Sequence, residues 1–269
     1  MTLAKFVPIF LWSAASLPSW ASAAGHTEVL AKGQQEVREF REDITRSYSI
    51  RYLLYLPPGY PGAQKQWPLL LFLHGAGERG DDLELVKRNG PPKMIEEGTD
   101  FPFIMVSPQV ATGQIWDRDT LFHLLQKLKK QLRVDSERIY LTGLSMGGFG
   151  AWDLALTYPG EFAALIPICG GANPIRACFL KEMAIWVFHG EDDGVVPAYR
   201  STELATRLER CSHSAFRCTT YPNTRHNSWT RTYHNPAVWK WLLQQRRGSI
   251  SPPPSEELAE ETPAPQDPR

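Results

Sequence analysis

Apolar positions in this chain come in two kinds: short, mainly apolar runs, and longer stretches where they recur every three to four residues. The runs Trp67–Leu73, Phe103–Ser107, Arg138–Thr142, Ala184–Phe188 and Phe216–Tyr221 predict strands, several of them apolar enough to be buried on both faces. The longer period predicts helices over Leu121–Leu132, Gly148–Leu156, Tyr199–Leu208 and Pro236–Gln245, the second stopping before Pro159. Glu36–Glu42 and Tyr48–Leu56 carry strand patterns suited to an antiparallel edge. Asp81–Phe103, with Asn89-Gly90-Pro91-Pro92, reads as a loop-rich insertion and a wall of any site nearby. Strands alternating with helices predict an α/β fold, a mostly parallel sheet covered on both faces.

The ends differ from this body. Lys5, the apolar stretch Phe6–Leu17 and Ala21-Ser22-Ala23 have the order of a signal peptide, residues 1–23, so the chain is expected to be exported to a periplasm or the exterior. That stretch is short and interrupted by Pro and Ser, so no stable membrane insertion is expected after cleavage. The catalytic body is expected over 24–248, and the Pro- and Glu-rich segment 249–269 is expected to be disordered. With 269 residues, 42% of them hydrophobic, there is core enough for one α/β domain. A formal net charge of +0 gives no footprint for nucleic acid. The cysteines are Cys169, Cys178, Cys211 and Cys218, with no metal-ligand spacing, and neither a metal nor another cofactor is expected. In an exported chain their short separations favour Cys169–Cys178 and Cys211–Cys218 disulfides.

The chemistry is concentrated around Gly143-Leu144-Ser145-Met146-Gly147, set between the Arg138–Thr142 strand and the following helix. Glycines two positions to either side of a serine permit a tight strand-to-helix turn, where larger side chains would collide. The serine then stands at a helix N-terminus, whose N–H groups can receive a developing oxyanion. Later strands end in His189-Gly190-Glu191-Asp192-Asp193-Gly194-Val195-Val196-Pro197 and in Pro222-Asn223-Thr224-Arg225-His226-Asn227-Ser228-Trp229. Upstream, the first long strand ends in His74-Gly75-Ala76-Gly77-Glu78-Arg79-Gly80, a glycine-rich turn able to offer a backbone N–H. Glu191, Asp192 and Asp193 compete as the acid. Among seven histidines, His226 alone follows the last strand.

Together with Phe162–Gly171, these segments resemble secreted α/β-hydrolases of the carboxylesterase/phospholipase type, related to dienelactone hydrolases and prolyl-oligopeptidase-like serine hydrolases. The likeness runs over about residues 45 to 245. It implies the α/β-hydrolase fold, and a triad in the order Ser145, Asp193, His226, since the acid of that family directly precedes the x-Val-Val-Pro turn. It implies an oxyanion hole from the N–H groups of Met146 and of Ala76, with Gly77 as the alternative to Ala76. Trp116 is a candidate wall of an acyl or aryl pocket, and Trp229 a second pocket candidate or a brace for the histidine loop. Glu78 and Arg79 are expected to pair with each other and fix the oxyanion turn. The expected substrate is a small carboxylic ester, including one carried on a carbohydrate. A secreted peptidase of the prolyl-oligopeptidase type and a non-catalytic binding protein are the rival readings. The first lacks its usual large accessory domain in a chain this short, and the second leaves a filled triad unexplained.

Overall fold

The computed structural model describes residues 39–254, so the expected signal peptide lies outside the described residues. The chain divides into units 1–46 and 47–269. Of the first, residues 39–46 have neither helix nor strand, so the strand expected over Glu36–Glu42 is absent from its described part. That segment is charged, and with its side chains exposed no apolar face holds it in a sheet.

The second unit holds one seven-stranded sheet. Its strands are β1 (Arg51–Tyr55), β2 (Trp67–Leu73), β3 (Ile104–Gln109), β4 (Val134–Leu144), β5 (Ala164–Ile168), β6 (Ala184–Gly190) and β7 (Phe216–Tyr221). Their order is β1-β3-β2-β4-β5-β6-β7, with β1 antiparallel to β3 and every other pair parallel. Helices α1 (Gly90–Glu96), α2 (Arg118–Gln131), α3 (Met146–Thr157), α4 (Tyr199–Arg210), α5 (Trp229–Tyr233) and α6 (Pro236–Gln244) complete it.

The two-residue period of the strands sorts the core into two halves. Leu69, Leu71, Leu73, Ile185 and Val187 face one way, onto Leu121 and Leu125 of α2, Trp152 and Ala155 of α3, and Leu204 and Leu208 of α4. Leu70, Phe72, Trp186 and Phe188 face the other way, onto Tyr233 of α5 and Val238, Trp241 and Leu242 of α6. Both faces are thus covered, as parallel strands with continuous apolar runs require. Among the described residues, no helix is long and apolar enough to cross a membrane.

Two expectations need correction. Six residues of the expected tail are part of the body. The Trp241 indole donates to the Ser251 carbonyl at 3.1 Å, the Ser251 N–H donates to Gln245 Oε1 at 2.8 Å, and Ile250 packs on the α6 face. The disulfide joins Cys178 to Cys211, with Cα atoms 5.6 Å apart, and Cys169 and Cys218 are free thiols. Neither expected pair forms, because a short separation in sequence is spanned here by a change of layer. Cys169 is buried just past the end of β5, whereas Cys178 lies on the outer 3-10 turn Pro174–Leu180. Cys211 caps α4, whereas Cys218 lies within β7.

Candidate active site

Ser145 sits where β4 gives way to α3, at φ 53° and ψ −118°, a conformation that strains any residue with a Cβ. Its neighbours explain the glycines. A Cβ on Gly147 would lie 1.9 Å from the Leu73 carbonyl oxygen, and one on Gly143 would lie 2.3 Å from the Gly147 carbonyl oxygen. The turn is held by the Ser145 N–H, which donates to the Ile168 carbonyl at 2.9 Å, and by the Phe149 N–H, which donates to the Ser145 carbonyl at 3.1 Å.

Asp193 lies just beyond β6 and is 6% exposed. Its Oδ1 accepts from the Val195 and Val196 N–H groups, both at 2.9 Å, and its Oδ2 accepts from His226 Nδ1 at 2.7 Å. Burial pushes this carboxyl up, but the hydrogen bonds from His226, Val196 and Val195 outweigh it and hold the acid below its usual range. With its proton on Nδ1, His226 presents a lone pair at Nε2, 2.9 Å from Ser145 Oγ. The rival acids point elsewhere: Glu191 accepts from the Thr220 hydroxyl at 2.8 Å, and Asp192 is exposed. So do the rival histidines, His213 toward the Leu180 carbonyl and His234 toward that of Thr230.

Ala76 begins the 3-10 turn Ala76–Glu78 after β2, and Met146 begins α3. First residues of helical turns have N–H groups without an intrahelical acceptor. The expected Glu78–Arg79 pair is replaced by two separate tethers. Arg79 Nε donates to the Ala76 carbonyl at 3.0 Å, bracing the turn from outside. Glu78 turns inward, is 6% exposed, and accepts from Asn89 Nδ2 at 2.7 Å. Asn89 Oδ1 in turn accepts from Trp229 Nε1 at 3.1 Å, and the Trp229 ring meets His226 edge-on with centroids 5.4 Å apart. The insertion therefore reaches the site through one asparagine that links the Ala76–Glu78 turn to the histidine loop.

The sequence model of the phospholipase/carboxylesterase family matches residues 107–235. The bifunctional acetylxylan esterase/xylanase of Neocallimastix patriciarum is 28% identical over 182 residues, 65% of this chain and 26% of that protein. The probable feruloyl esterase C of Aspergillus terreus is 24% identical over 196 residues, 70% of this chain and 67% of that one. The crystal structure of a thermostable esterase is 33% identical at a TM-score of 0.65, covering 74% of this chain and 60% of its own. The chain has the α/β-hydrolase fold and is similar to esterases. It spans about a quarter of the first curated relative.

Beside Ser145 this α/β-hydrolase has a cavity of about 590 Å³, walled by Trp116, Met146 and Phe149 and also lined by Asp153, Leu156 and Arg176. Trp116, expected as a wall of an acyl or aryl pocket, lines this cavity. Its indole donates to the His74 carbonyl at 3.2 Å and lies so close to α3 that a Cβ on Gly150 would meet it at 2.6 Å. Trp229 does not line this cavity and braces His226 instead.

Two neighbours of Asp193 and His226 have no signal in the sequence. His189 is fully buried at the end of β6; its Nε2–H reaches the Val196 carbonyl at 2.8 Å and Asp193 Oδ2 at 3.2 Å, and Nδ1 accepts from the Ser201 hydroxyl at 2.7 Å. Cys169 offers a thiol within 4.8 Å of donor atoms of Asp193 and His226, the one such group with metal-ligating atoms among the described residues. Burial pushes that thiol up to about 12, so it stays protonated and packs as a small apolar group.

Proposed function

We propose that this chain is a serine hydrolase that cleaves carboxylic esters through an acyl-enzyme on Ser145. The observation that carries this reading is the unbroken line from Asp193 Oδ2 to His226 at 2.7 Å and from His226 to Ser145 Oγ at 2.9 Å. Ser145 Oγ attacks the ester carbonyl carbon while His226 Nε2 takes the hydroxyl proton. Asp193 keeps the imidazole in the required tautomer and stabilises the imidazolium that forms. The carbonyl oxygen, now an oxyanion, is received by the Met146 and Ala76 N–H groups, each worth about 3 kcal/mol of barrier in comparable sites. His226 then returns the proton to the leaving alcohol as the carbon–oxygen bond breaks. Water then attacks the acyl carbon while His226 takes its proton, and His226 returns that proton to Ser145 Oγ as the carbon–Oγ bond breaks and the acid leaves.

The substrate is a small ester, including one carried on a carbohydrate. The names of the relatives, an acetylxylan esterase and a feruloyl esterase, support that class. Export is supported by the Cys178–Cys211 disulfide, a bond that persists in oxidising compartments.

Ser145→Ala should leave the fold intact and lower turnover of 4-nitrophenyl acetate on the order of ten-thousand-fold. His226→Ala should do the same, while His234→Ala, at an exposed residue whose ring bonds the Thr230 carbonyl, should retain nearly full activity. Near-parental turnover in a folded Ser145→Ala protein would sink the mechanism. Aminoacyl amides should be cleaved at least about a hundredfold more slowly than esters, since an amide nitrogen is a poor leaving group that must be protonated before its bond to carbon breaks.

A further inference from the structure

The cavity beside Ser145 has a direction and a polar end. Met146 opens α3, and Leu156 lies ten residues further along it. At the α-helical rise these two lining residues are about 15 Å apart along the axis. Trp116 and Phe149 stand near the Ser145 end, and Asp153 is two turns along. Arg176 marks the far end, because its Nη2 donates to the Leu156 carbonyl at 3.0 Å. His226 is not part of the lining. The leaving alcohol must stand against His226 Nε2 to receive its proton, so the cavity is the place for the acyl group.

The charges at the far end do not cancel. Asp153 is engaged by Arg118, whose Nη1 reaches its two oxygens at 3.1 and 3.3 Å. Arg176 is half-buried, and among the described residues no carboxylate meets its guanidinium. Asn173, on the same wall, uses its amide oxygen to accept from the Ile175 N–H at 3.0 Å and keeps its NH2 as a donor. The far end is thus donor-rich, with one cation whose fork suits a carboxylate.

We propose that this site takes acyl chains ending in a carboxylate, the half-esters of α,ω-dicarboxylic acids, with the distal carboxylate on Arg176. This rests on the ester-hydrolase reading. A plain alkyl chain leaves the Trp116 and Phe149 walls and runs onto Asp153 and Arg176, which must be desolvated for nothing in return. A chain with a terminal anion meets a partner there. At roughly 1.2 Å of reach per bond, the value for an extended main chain, an acyl group of roughly eight to ten carbons covers about 8–11 Å, and the terminal carboxylate with its hydrogen bond to the Arg176 guanidinium covers the remaining few ångströms.

The test compares kcat/KM, from proton release at constant pH, for the monomethyl esters of glutaric, suberic and sebacic acids with that of the corresponding dimethyl esters. After the twofold statistical advantage of the diesters is removed, the monoester should be favoured about tenfold for suberic or sebacic acid and less for glutaric acid. Arg176→Gln should bring that ratio to about one, and Arg176→Lys should keep part of it. An arginine that merely supports the turn would lower both rates together and leave the ratio alone. A ratio at or below one in the parent enzyme, or a ratio unchanged by Arg176→Gln, overturns the inference while 4-nitrophenyl acetate is still turned over. Loss of turnover on every ester, 4-nitrophenyl acetate included, would instead remove the hydrolase reading and this inference with it.

Discussion

At the scale of single residues, the turn around Ser145 is set by steric limits that a variant can probe directly. The atom facing Gly147 is the Leu73 backbone oxygen, which cannot swing aside as a side chain does. Gly147→Ala should therefore cost on the order of 3 kcal/mol or more, or abolish folding, as overpacking against a fixed neighbour does. Gly160→Ala, where a Cβ would meet nothing within 4 Å, should be close to neutral. Thermal unfolding followed by circular dichroism separates the two, and equal melting points would refute the steric account. The same scale shows what a sequence can reveal of a site. Two glycines around a serine state a backbone demand, so the elbow was legible residue by residue. The acid was less so, because Glu191, Asp192 and Asp193 are chemically alike. Only the turn decides that Asp193 receives the Val195 and Val196 amides on one oxygen and His226 on the other. His189 and Cys169 left no trace, since a buried histidine at a strand end and a core cysteine look the same whether or not they touch a triad.

At the scale of elements, strands buried on both faces were the most legible, because a run such as Trp67–Leu73 has no other comfortable place in a soluble domain. The 3-10 turn Pro174–Leu180 and the five-residue α5 were not, since neither is long enough to show a period. The disulfide departs from the expected pairs for a related reason: pairing follows packing between elements, and α4 lies against the Pro174–Leu180 turn. The bond that forms spans 33 residues and ties the turn bearing Arg176 to the end of α4. By the chain-entropy relation, replacing both Cys178 and Cys211 with Ser should lower stability by about 3–4 kcal/mol. Peptide mapping without reduction should recover a Cys178–Cys211 cross-link. Recovery of Cys169–Cys178 or Cys211–Cys218 peptides from exported protein would contradict the arrangement.

For the molecule as a whole, stability and the site meet in His74, fully buried at the end of β2. Its Nδ1–H donates to the Gly75 carbonyl at 2.6 Å, and its Nε2 accepts from the Val110 N–H at 3.1 Å. The ring packs against Trp116, with centroids 4.7 Å apart, so the turn after β2 and the cavity wall share this support. Burial pushes the imidazole down to about 4, and protonating it would set Nε2–H head to head with the Val110 N–H. The unfolded chain binds this proton near pH 6.5, whereas the folded protein resists until about pH 4. Stability is therefore complete above the unfolded value and declines as pH falls through the interval between them, by about 2 kcal/mol near pH 5. His213, also depressed by burial, adds a loss of the same sign. His74→Gln, which keeps one donor and one acceptor, should melt lower near neutral pH because its shape fits less well, yet lose less between about pH 7 and pH 5 than the parent does. Urea titrations of both proteins at the two pH values measure this difference. An equal acid-induced loss in the two would show that His74 does not carry the linkage, and that the coupling between acid sensitivity and the turn after β2 lies elsewhere.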